Sequence, residues 1–214
     1  MTPLLVLHDT FDPLAGARWR PLCDAWRGSA LAPDLPGHGE SPPPVGGSYA
    51  PSDATLVAVR VLKEAGIAEK PVVVGHGWGG FAAELLAAAG RASALVLVDG
   101  LGGPWLEADE LVEEQRAWLR AVGDDPEALA APTASPDPRL RHRYPSVWER
   151  VFTEARRSAI VVPVLALETP ASPTPRHEHD ERLRAFAGGA TSLAIEAATP
   201  EEVLAAMTAS GWRP

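Results

Sequence analysis

Apolar residues along this chain gather in short continuous runs, separated by stretches with helical spacing. Four runs stand out: "PLLVLH" (3–8), "PVVVGH" (71–76), "ALVLVDG" (94–100) and "VVPVLALE" (161–168). Two weaker ones are "SALAPD" (29–34) and "TSLAIEA" (191–197). They are continuous rather than alternating, which predicts strands buried on both faces of a parallel sheet. Helical patterns lie between them: "RWRPLCDAW" (18–26), "PSDATLVAVRVLKEAG" (51–66), "GGFAAELLAAAG" (79–90), "HDERLRAFAGG" (179–189) and "TPEEVLAAMTASGW" (199–212). Ser52 or Asp53 is placed to cap the second of these, and Gly66 to end it. Thr199-Pro200-Glu201-Glu202 reads as a cap, a first-turn proline and early acids. Strands alternating with helices predict a doubly wound α/β fold.

One segment breaks the alternation. Residues 101–160 carry no strong strand signal. "LEADELVEEQRAWLRAV" (106–122) predicts a helix with Leu111, Trp118, Leu119 and Val122 near one face. A proline-rich stretch (131–145) and a second predicted helix, "SVWERVFTEARR" (146–157), follow. The division is therefore a core of 1–100 and 161–214 with a helical cap insertion at 101–160. Such an insertion at the strand C-termini would lie over the ligand crevice.

Composition narrows the function classes. With 214 residues the chain fits one domain with a sizeable core. A net charge of −9 argues against nucleic acid and against an anionic membrane surface. Cys23 is the only cysteine, so neither an intrachain disulfide nor a Cys-rich metal site can form. "MTPLLVLHDTFD" has no basic n-region, and no apolar run approaches the roughly 20 residues of a membrane span. The expectation is a cytoplasmic protein without cofactor or metal. Its expected partner is a small molecule; a homodimer is allowed, and nothing in the sequence sets the oligomeric state.

"VVVGHGWGGFAAELL" (72–86) is a strand, a glycine cluster and a helix in succession. Together with "LLVLH", "APDLPGHGES" (32–41), "ALVLVDG", "VPVLALETPASP" and "TPEEVLAAM", in that order, it resembles the α/β-hydrolase fold family over nearly the whole chain. The resemblance implies three layers around a six-stranded, mostly parallel sheet with a small helical cap. The family's usual first two strands have no counterpart.

The family's chemistry needs a nucleophile at the elbow, an acid after a later strand and a histidine near the C-terminus. At the elbow, Gly75-His76-Gly77-Trp78-Gly79, the nucleophile's position holds Gly77. Ser172 falls where the acid is usual. "AIEAATPEEV" has no histidine where one is expected, and none occurs after His179. The resemblance also places two backbone oxyanion-hole donors, on Thr10 and Trp78. Asp9 stands where the family has glycine. If its carboxylate points into the pocket, it would repel anions and act instead as a base or hydrogen-bond partner.

Other residues are candidates for the pocket: His8, His76, Asp99, Trp105 and Glu168, beside Asp9 and Gly77. Trp78, Trp105, Trp118, Tyr144 and Trp148 are aromatics that could wall it. For His8, His76, His38, Asp34 and Asp99 a structural role is the simpler reading. "RHEHDE" (176–181) has a chelating spacing, but it reads as a polar helix entry. Three functions stay open. The first is a non-hydrolytic protein binding a small apolar carbonyl compound. The second is a cyclase, lyase or isomerase using the same crevice, with Asp9, His8, His76 or Glu168 moving protons. The third is an esterase with an unrecognised nucleophile.

Overall fold

The structure, a computed structural model, describes residues 1–44, 47, 49–126, 135–142 and 150–212. Six parallel strands form one sheet: β1 (Leu4–Leu7), β2 (Ala30–Leu31), β3 (Val72–His76), β4 (Ala94–Val98), β5 (Val164–Glu168) and β6 (Ala190–Ala194). They lie in the order β2-β1-β3-β4-β5-β6. Registers include Leu7 opposite Gly75, His76 opposite Val98, and Glu168 opposite Ala194.

The continuous apolar runs have the reason expected of them: both faces of the central strands are covered. Leu5, Leu7, Val73, Leu95, Leu97, Val164 and Ala166 point to one core. Leu4, Val6, Val72, Val74, Val96, Val98, Leu165 and Leu167 point to the other. The first core is closed by α2 (Pro51–Glu64) and α3 (Gly79–Ala88). The second is closed by α1 (Arg20–Ala25) and α7 (Pro200–Ala209), with Trp19 fully buried. This is a three-layer α/β architecture.

Helix ends follow local chemistry. Thr199 caps α7, its side chain accepting the Glu202 N–H at 3.3 Å. At α2 the N-cap is Ala50, whose N–H donates to Asp53 at 2.9 Å, so Asp53 works from inside the helix. The helix expected at 179–189 runs instead as α6, Arg176–Arg184. "RHEHDE" is thus its first turn and a half, not a loop entering it.

Between β4 and β5 lie α4 (Ala108–Asp124), a short 3₁₀ helix (Pro138–His142) and α5 (Arg150–Ser158). Arg150–Ser158 is the described part of the helix expected at 146–157. No residue of α4 is buried, and Leu119 is 61% exposed. Its apolar face therefore does not enter the core. Tyr144 and Trp148 lie outside the described residues. Among the described residues no helix is long and apolar enough to cross a membrane.

Candidate functional site

In this strand order β1 continues to β2 on one side, while β3 to β6 extend on the other. The chain leaves β1 and β3 towards opposite faces of the sheet, and in open α/β sheets the ligand crevice lies at the C-terminal ends of such a strand pair. Asp9 follows β1 and Gly77 follows β3, so both border it.

Gly77 has φ +50°, a backbone state that a side chain makes costly. Its N–H donates to Val98 O at 2.9 Å, and its carbonyl accepts the Gly80 N–H at 3.0 Å. A Cβ at Gly79 would lie 2.5 Å from His8 O, so glycine also lets α3 start hard against β1. The turn thus aims the first N–H groups of α3 at the crevice.

Asp9 takes the Trp78 donor at the N-cap of α3 and one more from its own loop. Its Oδ1 accepts the Trp78 N–H at 2.7 Å and the Thr10 N–H at 2.8 Å. A Cβ at Gly77 would lie 2.5 Å from Asp9 Oδ2, and closer still to Cγ and Oδ1. The carboxylate therefore fills the space of an elbow side chain and bonds both backbone donors. Among the described residues no cationic side chain pairs with it, and Oδ2 accepts no hydrogen bond.

His76 ends β3 on the opposite face, edge-on to Trp19 at 5.6 Å. Its Nδ1 is buried without a partner. Burial lowers its pKa, against the pull of Asp9 and Asp99. His8 is fully buried, and both its ring nitrogens are used. Nε2 accepts the Leu35 N–H at 2.9 Å, so Nδ1 carries the proton and donates to Asp9 O at 2.7 Å. Burial pushes its pKa down to about 4. His38 likewise accepts the Phe11 N–H at 3.1 Å and bonds Pro36 O. These two histidines brace the Asp9 loop. Asp34 accepts the Gly16 and Glu40 N–H groups, tying its own loop to the 3₁₀ turn before α1.

Asp99, at φ 49°, accepts the Thr169 N–H at 2.8 Å and its hydroxyl at 2.7 Å. It ties the end of β4 to the loop after β5. Ser172 donates its hydroxyl to Glu168 Oε2. Glu168 Oε1 is buried and unpartnered, and burial raises the carboxyl's pKa.

A model of the alpha/beta hydrolase family matches residues 4–208. The chain belongs to that family. Solved structures agree on the fold. An esterase from Thermogutta terrifontis superposes with TM-score 0.69 at 20% identity, over 99% of this chain and 89% of its own. An esterase from Exiguobacterium antarcticum gives 0.68 at 15%, over 99% and 91%. The thioesterase domain of the curacin biosynthetic pathway gives 0.67 at 19%, over 98% and 89%. No curated protein matches the sequence.

In this hydrolase-fold chain several expected site residues lie elsewhere. His8 is no pocket residue, because neither ring nitrogen is free. The Trp78 side chain is 5% exposed and packs into the core rather than walling a pocket. Trp105 stands between two guanidinium groups, Arg150 at 5.0 Å and Arg182 at 4.6 Å. The Thr10 and Trp78 N–H groups, expected as free donors, both donate to Asp9. Asp9, His76, Gly77, Asp99 and Glu168 do end or follow the four central strands. Among the described residues no group of three His, Cys, Asp or Glu side chains is placed to hold a metal.

A buried ionic network went unforeseen. Glu84 of α3 is fully buried and accepts from Arg156 Nε at 2.6 Å and Arg157 Nη2 at 2.7 Å. Burial works against its charge, but the two arginines outweigh it and hold its carboxyl below the ordinary range. Arg157 and Arg182 both donate to Leu101 O, at 2.9 and 2.6 Å. The network locks α5 and α6 to the segment leaving β4. The signal was a lone acid inside "GGFAAELLAAAG".

Proposed function

We propose that this chain is a non-hydrolytic member of the alpha/beta hydrolase family whose crevice binds a small molecule. The observation that carries the reading is the Asp9 carboxylate, seated on the Thr10 and Trp78 N–H groups above Gly77. Acyl transfer needs a nucleophile at the elbow and free donors for the oxyanion. Gly77 offers no nucleophile, and the donors serve Asp9. Ser172 is engaged with Glu168, and residues 195–199, Ile-Glu-Ala-Ala-Thr, offer no histidine before α7. On this reading the three triad positions are lost together. The helices between β4 and β5 are the proposed cap.

The expected carbonyl ligand is revised. A carbonyl oxygen needs the two donors that Asp9 holds, so the crevice as folded does not offer them.

A second reading, a lyase, cyclase or isomerase, is favoured by two buried atoms without partners, His76 Nδ1 and Glu168 Oε1. Burial keeps His76 neutral, able to accept a proton, and moves the Glu168 carboxyl up towards neutrality, as a proton-transfer group requires.

The test is exposure to a fluorophosphonate probe and to p-nitrophenyl acetate and butyrate. Neither labelling nor turnover is expected from the protein or from Gly77→Ser. Labelling or turnover of the wild type overturns the non-hydrolytic reading. Turnover of Gly77→Ser alone shows that a working base was overlooked.

A further inference from the structure

We propose that Asp9 is a built-in occupant of the oxyanion hole and selects what the crevice holds: it admits molecules that offer a hydrogen-bond donor, above all an ammonium group, and excludes those that offer a carbonyl oxygen or an anion. The inference rests on the non-hydrolytic reading of the same site.

The exclusion follows from geometry. A bound oxyanion or carbonyl oxygen sits about 2.7–3.1 Å from both hole donors. Asp9 Oδ1 already holds that point, 2.7 Å from the Trp78 nitrogen and 2.8 Å from the Thr10 nitrogen. An incoming oxygen must displace a carboxylate that receives two charge-assisted bonds, or stand against its charge.

The admission follows from what Asp9 leaves open. Oδ2 accepts no hydrogen bond among the described residues, and no cation neutralises the group. The surrounding charge has the same sign. The charged groups that act on His76 at this edge are Asp9, Asp99 and Asp12, against Arg18 alone. Arg18 is already paired with Asp12 at 2.7 Å. His76 adds no compensating charge at neutral pH, since burial lowers its pKa. The family's donor floor has thus become an acceptor floor. A donor on the ligand completes Asp9 without breaking either backbone bond.

Two probes with one ring and opposite headgroups, benzylamine and benzoate, test this on 15N-labelled protein. The amide signals of Thr10 and Trp78 report on the hole. In the wild type, benzylamine is expected to shift both signals saturably, and benzoate neither. Asp9→Ala is expected to invert the preference, with benzoate tightened and benzylamine weakened about tenfold or more. Asp9→Asn keeps an oxygen on both donors without the charge. It is expected still to exclude benzoate while weakening benzylamine, and it decides the matter if Asp9→Ala does not fold.

Three results overturn the proposal: benzoate entering the wild type, Asp9→Asn admitting benzoate, or benzylamine affinity unchanged when Asp9 is replaced. None depends on hydrolysis. Reaction of the wild type with a fluorophosphonate would remove the non-hydrolytic reading while the probe preferences still judge Asp9.

Discussion

Gly77→Ala places a methyl group where the Asp9 carboxylate sits. Two costs follow. At φ +50° alanine carries left-handed strain of about 1 kcal/mol. The new Cβ, 2.5 Å from Oδ2 and nearer to Cγ, drives the carboxylate off its two donors. Each such bond to a charged group contributes about 1.5 kcal/mol net, so the loss is about 3 kcal/mol and the total about 4 kcal/mol. Asp9→Ala alone should cost about 2 kcal/mol, because water can reach the donors in its place. In the double variant there is no carboxylate to displace. Additivity would give about 6 kcal/mol, whereas strain plus the loss of Asp9 gives about 3 kcal/mol, a coupling near 3 kcal/mol. Urea unfolding of the four proteins measures it. By melting temperature, Gly77→Ala should fall by roughly 10 °C. Additivity within about 0.5 kcal/mol would refute the contact between Asp9 and the elbow.

Three further outcomes follow from buried charges. Glu84→Gln removes the counter-charge of Arg156 and Arg157; it should cost about 3–5 kcal/mol in urea unfolding, and a neutral result would mean that the network is solvated. Glu168 has a raised folded-state pKa, so it binds more protons folded than unfolded, and its stabilising contribution falls as pH rises past the ordinary carboxyl value of 4.5. Glu168→Gln should therefore be more stable than wild type at pH 8, with the gap closing towards pH 4; a gap independent of pH contradicts the burial argument. His8 has the opposite sign. Its folded pKa of about 4 lies below the ordinary 6.5, so stability should fall as pH drops through that window. The His8 proton resonances, titrated by NMR, should still report a neutral ring at pH 5.5; a midpoint near 6.5 would mean that the bond to Leu35 is not made.

The fold was legible because its signals are local and redundant. "PVVVGHGWGG" fixes a strand, a turn and a helix start by β-branching and by close approach that only glycine permits. "ALVLV" and "VPVLALE" need burial on both faces, and a parallel sheet supplies it. Of the candidate site, the sequence showed which residues end or follow the strands; that Thr10, Trp78 and Gly77 meet around Asp9 came from the fold. What fills the hole was open. Sequence spacing does not say whether Asp9 turns outward or folds back onto Trp78, a residue 69 positions away. The direction depends on the braced loop, where His8 and His38 hold the backbone of residues 9 and 11. Trp105, expected at the pocket, is surrounded for a related reason by groups distant along the chain. The spacing of "HDERLRAF" does not show that Arg182 is held by Glu178 on its own helix and by Leu101 O and Gly103 O of the segment after β4, beside Trp105.

The central claim is that Asp9 occupies the two backbone donors in solution. Scalar coupling across a hydrogen bond measures this directly, from the amide nitrogens of Thr10 and Trp78 to the 13Cγ of Asp9. The account predicts a coupling from each nitrogen to that single carboxyl carbon, and its loss in Asp9→Ala. Absence of both couplings, in a spectrum that resolves those between β3 and β4, would contradict it.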